Sequence, residues 1–174
     1  DLAATLSEAI DRAAFVGSTP QPTGILATAG IGSDTWTNGS DPEWADIVGL
    51  ETALAEANAD LGNNLAYVTT PALRGVLKAT PKVSGDASGG FLWEPGNTMN
   101  GLPAHATNNM GAGKILLGNW SDLVVGMWGA MQILVNPYLG GDYEKGNVAV
   151  RAIMDVDFGL RHAASFAEIH EAAA

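Results

Sequence analysis

The sequence predicts one domain that mixes helices with strands, and three observations support this prediction. A chain of 174 residues is long enough to bury a sizeable core and is expected to form a single domain. Hydrophobic residues make up 47% of it and charged residues 16%, a composition typical of folded protein. Apolar residues recur at helical spacing in the first half of the chain and alternate with polar residues near its end.

Three helices are predicted from apolar stripes and capping residues. The first covers Leu2–Ala14, where the apolar side chains fall on one stripe. The second begins at Asp41, an N-cap followed by proline at the first helical position, and it ends at Gly62. Its buried stripe is predicted to comprise Ile47, Leu50, Leu54 and Ala57. The third helix is capped by Thr70 and runs through Leu77, with a proline in its first turn.

Strands are predicted before and after the third helix. A short strand covers Leu65–Thr69, and the apolar stretch Gly101–Val135 supplies others. That stretch is broken at Asn108–Gly113 and turns at Gly118–Asp122. Near its end Leu134 interrupts the alternation of apolar and polar residues, which indicates a strand with both faces partly covered.

The sharpest periodicity lies in Val148–Leu160, where apolar side chains occupy every even position. This pattern predicts one long strand with a buried face and a wet face. A register slip of one residue would bury Arg151 and two aspartates, so the pairing is fixed.

The remaining segments are rich in glycine and proline. Phe15–Ser40 and Pro137–Gly146 are predicted to form loops and turns, and Ser84–Gly90 is predicted to be flexible. An apolar clasp, Phe91–Trp93, follows this flexible segment.

Charge and composition exclude several classes of function. The formal charge is -11 and the eight lysines and arginines are scattered, which argues against a nucleic-acid groove. Cysteine is absent, which excludes disulfides and thiolate metal sites. The apolar run Leu123–Val135 is too short to cross a bilayer, since a spanning helix needs roughly 20 residues.

Motifs that could bind phosphate or metal are weak. Gly111–Lys114 lacks the glycine spacing of a phosphate loop, and Ile115 stands where serine or threonine is needed, so a hairpin or a surface loop is predicted. His105, His162 and His170 show no ligand spacing. We therefore predict no catalytic, cofactor-binding or metal-binding residue, and no enzyme.

One pair of carboxylates, Asp155 and Asp157, would share a face of the long strand. Such a pair can act as acid and base. Arg151 and Arg161 are predicted on the same face, which favours ion pairing or a contact between subunits. The five dispersed tryptophans are interpreted as core or interface anchors, namely Trp36, Trp44, Trp93, Trp120 and Trp128.

Short motifs in a fixed order connect the sequence to a known family. In chain order they are Phe15–Gly17, Gln21–Leu26, the helix from Asp41, the helix with Arg74 and Lys78, Gly90–Leu92, Gly101–Pro103, Ile115–Trp120 and a closing strand that ends near Phe166. This order resembles that of the tailed-phage major capsid protein family, the Hong Kong 97 fold. The resemblance covers essentially the whole chain.

The resemblance implies an α+β capsid fold with two lobes. An elongated peripheral lobe would hold residues 1–22 and 146–159, and an axial lobe would hold residues 23–145 and 160–174. The N-terminal arm of the family, its extended hairpin loop and most of its spine helix would lie before Asp1. The chain is therefore expected to be a C-terminal fragment.

The function implied by the resemblance is that of a structural major capsid protein of a phage or prophage. Copies would self-assemble into pentamers and hexamers of an icosahedral shell around DNA, found in the virion and, during assembly, in the bacterial cytoplasm. A scaffold or a maturation protease would be further partners; sequence-specific nucleic-acid binding and membrane binding are not expected. Two alternatives remain open: an encapsulin-type compartment shell, and a small acidic hydrolase or ligand-binding module that uses Asp155 and Asp157.

Overall fold

The structure is a computed structural model that describes residues 2–18, 22–59, 64–138, 140 and 144–173. Its helices are α1 (Leu2–Val16), α2 (Trp44–Glu56) and α3 (Pro71–Ala79). Its strands are β1 (Gly32–Trp36), β2 (Leu65–Thr69), β3 (Pro81–Val83), β4 (Asp86–Phe91), β5 (Thr98–Met99), β6 (Leu102–Ala106), β7 (Lys114–Asn119), β8 (Leu123–Met127), β9 (Gln132–Asn136), β10 (Ala149–Ile153), β11 (Val156–Leu160) and β12 (Phe166–Glu171).

A mixed sheet of six strands forms the centre of the fold, in the order β1-β12-β7-β2-β6-β5. β1 runs parallel to β12, and β2 runs parallel to β6. The other neighbours are antiparallel. β1 lies at one edge of this central sheet, and β5 with β6 lies at the other.

Apolar layers cover both faces of the central sheet. Ile115 and Leu117 of β7 pack on one face with the buried side chains of α2 and α3. Leu116, between them, packs on the opposite face with Ile25 and Phe166. Consecutive residues of a strand point to opposite faces, so three successive buried residues require two layers. Each such side chain contributes roughly 1.5–3 kcal/mol by leaving water.

The three predicted helices are present, but their ends differ, since α1 and α3 each run two residues further than predicted. α3 begins as predicted, since the Thr70 Oγ1 accepts a hydrogen bond from the Leu73 amide at 3.4 Å. α2 begins later than predicted, because Glu43 rather than Asp41 is the N-cap. Its amide donates to Asp46 Oδ2 at 2.7 Å, and its carboxylate accepts from the Asp46 amide in return. This reciprocal capping box satisfies two amides at once, which a lone Asp41 cap cannot do.

Two smaller predictions about α2 have different outcomes. Ile47, Leu50 and Leu54 are buried as predicted, but Ala57 is exposed because α2 ends at Glu56 and its C-cap turns away from the stripe. The predicted helix end at Gly62 lies outside the described residues. The same holds for positions 139 and 141–143 of the predicted turn region Pro137–Gly146.

Strands β1 and β12 of the central sheet are not predicted by the sequence. β1 lies within Phe15–Ser40, predicted to be a loop, and β12 begins at Phe166, where the closing strand was expected to end. β1 has one buried apolar residue, Trp36, and β12 includes Glu168 among buried residues. Pairing with neighbouring strands decides these segments, and local composition gives little signal for it.

Three further expectations need correction. Ser84–Gly90 is not an irregular flexible segment, since most of it belongs to β4, which pairs with β3 in a hairpin. The turn expected at Gly118–Asp122 begins later, because β7 continues through Asn119 before a 3₁₀ turn. The prediction of a single long strand over Val148–Leu160 is wrong. Residues 154–155 separate β10 from β11, and these two strands pair with β9 and β8 respectively.

Candidate assembly surface

Strands β8, β9, β10 and β11 form a two-stranded antiparallel arm, which we call the ribbon. β8 pairs with β11, so that Leu123 faces Leu160 at the base, and β9 pairs with β10 further out. Between the two pairs, the Trp128 amide donates to the Asp155 carbonyl at 3.1 Å. The ribbon therefore follows two chain segments, 123–136 and 149–160, and its register shifts where residues 128–131 lie opposite residues 154–155.

Large apolar side chains of the ribbon are exposed on both faces. Ile133, Leu134 and Val135 are consecutive, point to alternate faces and are 55%, 50% and 62% exposed. The prediction that both faces of this strand are partly covered is therefore wrong within the described residues. The exposed apolar set of the ribbon is Val124, Val125, Met127, Trp128, Met131, Ile133, Leu134, Val135 and Val150, and exposed Val148 directly precedes β10. Contiguous apolar surface of this kind marks an interaction site.

The base of the ribbon is fixed to the central sheet by aromatic rings. Trp120 meets Phe15 of α1 and Phe166 of β12 edge-on, with ring centroids 6.1 Å and 5.6 Å apart. The Trp120 indole also donates to the Ala66 carbonyl of β2 at 3.1 Å. Edge-to-face pairs of this type add to the burial of the rings, so α1, the sheet and the start of the ribbon are held together.

Polar contacts reinforce the same junction. The Arg161 amide donates to the Asp122 carbonyl at 2.9 Å. The hydroxyl of buried Ser165 donates to Asp122 Oδ2 at 2.6 Å. Asp122 therefore links the outgoing and returning segments of the ribbon where both meet the central sheet.

A polar cluster lies on the central sheet around Glu168, which is 5% exposed. Its carboxylate accepts from Ser33 Oγ at 3.0 Å and from Lys114 Nζ at 2.9 Å, and His170 Nδ1 lies 3.3 Å away. Lys114 is thus engaged by a carboxylate and begins a strand, whereas a phosphate loop precedes a helix. Gly111–Gly113 form a loop, as predicted, and Lys114 is the first residue of β7. Sequence reasoning does not find Glu168, because nothing local distinguishes it from a surface glutamate.

The acidic pair considered for catalysis is not brought into a cleft. Asp155 lies in the interruption between β10 and β11, Asp157 lies on β11, and both are exposed. Neither forms an ion pair with Arg151 or Arg161 within the described residues. In that same part of the chain, no three or more histidines or carboxylates are grouped so as to hold a metal ion.

Three described side chains have shifted pKa values. Hydrogen bonds from Ser88 lower the pKa of exposed Asp86, and the other two side chains, Tyr67 and Glu94, join neighbouring elements. Burial raises the pKa of Tyr67, and its hydroxyl donates to Glu51 Oε1 at 2.7 Å, which ties β2 to α2. A hydrogen bond from the Lys82 ammonium holds the pKa of Glu94 below its usual range. The same ammonium lies 4.5 Å from the centre of the Trp44 ring.

Comparison with known sequences relates the chain to one family. The phage capsid family model matches residues 1–170. A major capsid protein of Halomonas phage phiHAP-1 is 28% identical over 150 residues, which are 86% of this chain and 24% of that protein. The chain thus spans about a quarter of the length of this curated relative.

Solved structures share the fold at low sequence identity. The capsid of a native GTA particle has a TM-score of 0.72 at 19% identity, covering 99% of this chain and 69% of that one. A virus-like particle from Pyrococcus furiosus has a TM-score of 0.67 at 16% identity, covering 95% of this chain and 64% of that one. The predicted α+β, Hong Kong 97-type capsid fold is confirmed.

The described helices include none that is both long and apolar enough to cross a membrane. The family match extends over nearly the whole chain, and the fold agrees with it, so the resemblance noted from the sequence is confirmed. The chain belongs to the phage capsid family.

Proposed function

We propose that the protein containing this chain is a major capsid protein of a phage or prophage. Its copies would assemble into pentamers and hexamers of an icosahedral shell around DNA, first in the bacterial cytoplasm and finally in the virion. The observation that supports this most directly is the ribbon, with apolar side chains exposed on both faces. Membership of a structural family supports it as well, and we propose no catalytic activity.

A neighbouring copy that packs on the ribbon would remove these exposed side chains from water. Full burial of a large apolar side chain contributes roughly 1.5–3 kcal/mol. The nine of the ribbon are about half exposed and would each gain part of this, so together they form a strong contact. Obligate interfaces commonly bury about 2,000–5,000 Å² in total, which an extended ribbon can supply better than a cleft. Contacts between different surfaces of identical subunits close into rings, and rings can tile a shell.

The division into lobes, 1–22 with 146–159 and 23–145 with 160–174, stays a prediction. Pairing of β8 with β11 and of β9 with β10 joins residues 123–136 to residues 149–160. We propose that the ribbon belongs to the peripheral lobe as one unit. The axial lobe would then be the central sheet with α2 and α3.

A second candidate is the shell of a protein compartment. The structural similarity to a virus-like particle from Pyrococcus furiosus favours it, although at 16% identity this similarity concerns the fold alone. The content of the shell distinguishes the two candidates. A phage capsid encloses DNA, and its gene lies near portal, protease and terminase genes. A compartment shell encloses an enzyme, and the gene of that enzyme lies near the shell gene.

The decisive experiment is electron microscopy of the full-length protein expressed alone and with its genomic neighbours. We expect rings or closed shells, and we expect Val135→Asp to abolish them by placing a charge on the ribbon. Val83→Asp is the matched control, since Val83 on β3 is exposed to a similar degree, 54% against 62%. Failure of the wild-type protein to form rings or shells in any of these conditions would contradict the proposal.

A further inference from the structure

A cleft whose lining includes one cation, Arg74, lies at the β5–β6 edge of the central sheet. Arg74 of α3, Trp93 and His105 of β6 line it. The guanidinium carbon of Arg74 is 6.0 Å from the centre of the Trp93 ring, and Trp93 is buried. A cation–π contact with a fixed ring restrains the guanidinium and leaves its donors available. Among the described residues, no carboxylate forms an ion pair with Arg74.

An acidic groove lies at the opposite edge of the sheet, between β1 and α2. Asp34 of β1 and Asp46 of α2 line it. Asp34 is exposed, and its Oδ1 accepts only the neighbouring Thr35 amide at 2.8 Å among the hydrogen bonds of the described chain. Glu171, opposite Trp36 in the register, adds a third carboxylate near this edge. No cation in the described part of the chain pairs with Asp34 or Asp46.

Both edges also present strand backbone. β1 has β12 as its one neighbour in the described sheet, so its outer side is free. At the other edge, β5 pairs with Leu102 and Pro103 of β6, and the outer side of His105 is not paired within the described residues. Two open edges of opposite charge on one chain therefore face in opposite directions across the sheet.

From this arrangement we propose that the two edges meet between neighbouring copies, with Arg74 of one copy against Asp34 and Asp46 of the next. The partner is a second copy of this chain. The contact is heterologous, since it joins two different surfaces, and repetition of it generates a ring. This inference rests on the proposed function and adds which surfaces form the ring. Complementary charge fixes the register of such a contact and rejects wrong neighbours, which matters for a chain whose net charge is -11.

Charge reversal tests the pairing. In the full-length protein, Arg74→Glu or Asp34→Arg places like charges opposite each other, and we expect either variant to raise the concentration needed for assembly about tenfold or more. Arg12→Glu is the control, because Arg12 is an exposed residue of α1 that lines neither edge. Thermal unfolding of each variant shows that it is folded.

Two combinations then identify the contact as heterologous. The double variant Arg74→Glu/Asp34→Arg restores opposite charges at each contact and is expected to recover assembly. An equimolar mixture of the two single variants should also recover it, because every contact pairs opposite charges when they alternate around a ring. Alternation closes only with an even number of copies, so the mixture should form hexamers and no pentamers.

The outcomes separate this inference from the proposed function. If the wild-type protein forms no ring or shell, the proposed function fails first. If the wild-type protein assembles and the folded single variants assemble equally well, the edge pairing is wrong. The edge pairing is also wrong if neither the double variant nor the mixture recovers assembly. In that case, the role of the ribbon is untouched.

Discussion

The central sheet and the ribbon each contain a strand with a run of three large apolar residues, β7 in one and β9 in the other, yet these strands differ in what covers them. In β7, Ile115, Leu116 and Leu117 are all fully buried, because helices cover one face and the segment around Ile25 covers the other. In β9, the consecutive residues Ile133, Leu134 and Val135 are at least half exposed. Similar runs of apolar residues are therefore covered on both faces in the central sheet and are left exposed by the described residues in the ribbon.

This difference assigns separate tasks to the two regions. Burial in the central sheet supplies stability to the single chain. Apolar surface in the ribbon contributes little to that stability, and it becomes useful when a further chain segment covers it. The same substitution should therefore lower the free energy of unfolding when it is made in the central sheet. It should reduce assembly when it is made in the ribbon.

The largest contrast is expected from leucine truncation. Leu117→Ala should lower the free energy of unfolding by about 2–5 kcal/mol, since it leaves a cavity in the buried core. Leu134→Ala removes the same atoms from a half-exposed position and should change it by less than about 0.5 kcal/mol. Chemical denaturation of the unassembled protein measures both.

Assembly should show the reverse order for these variants at a temperature where both are folded. Leu134→Ala should reduce the yield of rings or shells, while folded Leu117→Ala should retain it. Equal loss of unfolding free energy in the two variants would show that the ribbon is covered within one chain, which contradicts the comparison.

A smaller contrast is expected from adding one methyl group. A Cβ on Gly118 of β7 would lie 2.1 Å and 2.3 Å from two ring atoms of buried Phe166. Gly118→Ala should therefore cost about 1–3 kcal/mol of unfolding free energy through displacement of that ring. A Cβ on Gly159 of β11 meets nothing within 4 Å, so Gly159→Ala should cause no loss. A crystal structure or thermal melts of both variants would test this, and equal melting temperatures would contradict it.

Elements are predicted best from the sequence when the residues that determine them lie within the element or directly beside it. α3 is predicted from Thr70, a following proline and two leucines one turn apart, and β2 is predicted at its observed bounds. β1 and β12 escape prediction because their pairing depends on residues more than 130 positions apart, as in Ser33 beside Glu168. The β-propensity of a short segment depends on its own residues and does not predict a contact with a distant strand.

The candidate surfaces are predictable to a lesser degree. The alternation of apolar and polar residues in Val148–Leu160 predicts an extended strand conformation. It does not predict whether another chain segment packs on the apolar face. Periodicity reports orientation alone, and cover depends on other chain segments. Arg74 belongs to a motif noted in the sequence, but its position opposite Asp34 across the sheet follows from the strand order. The order of motifs, rather than any single one, identifies the family.

The smallest contrast concerns pH. Lys82 holds the pKa of Glu94 below its usual range, so the folded state releases this proton more readily than the unfolded state does. The contribution is therefore fully present above the unfolded pKa of about 4.3 and is lost as the pH falls through the lower folded value. Because the Glu94 side chain is 25% exposed, it should amount to less than about 1 kcal/mol.

Glu94→Gln isolates this contribution from those of the other carboxylates. The difference in unfolding free energy between wild type and variant should be constant above about pH 5 and should shrink below about pH 4. Urea titrations from pH 3 to pH 7 on the unassembled protein measure this difference. A difference that stays constant down to pH 3 would show that the charge of Glu94, held by Lys82 on the folded chain, adds nothing to the stability of this region.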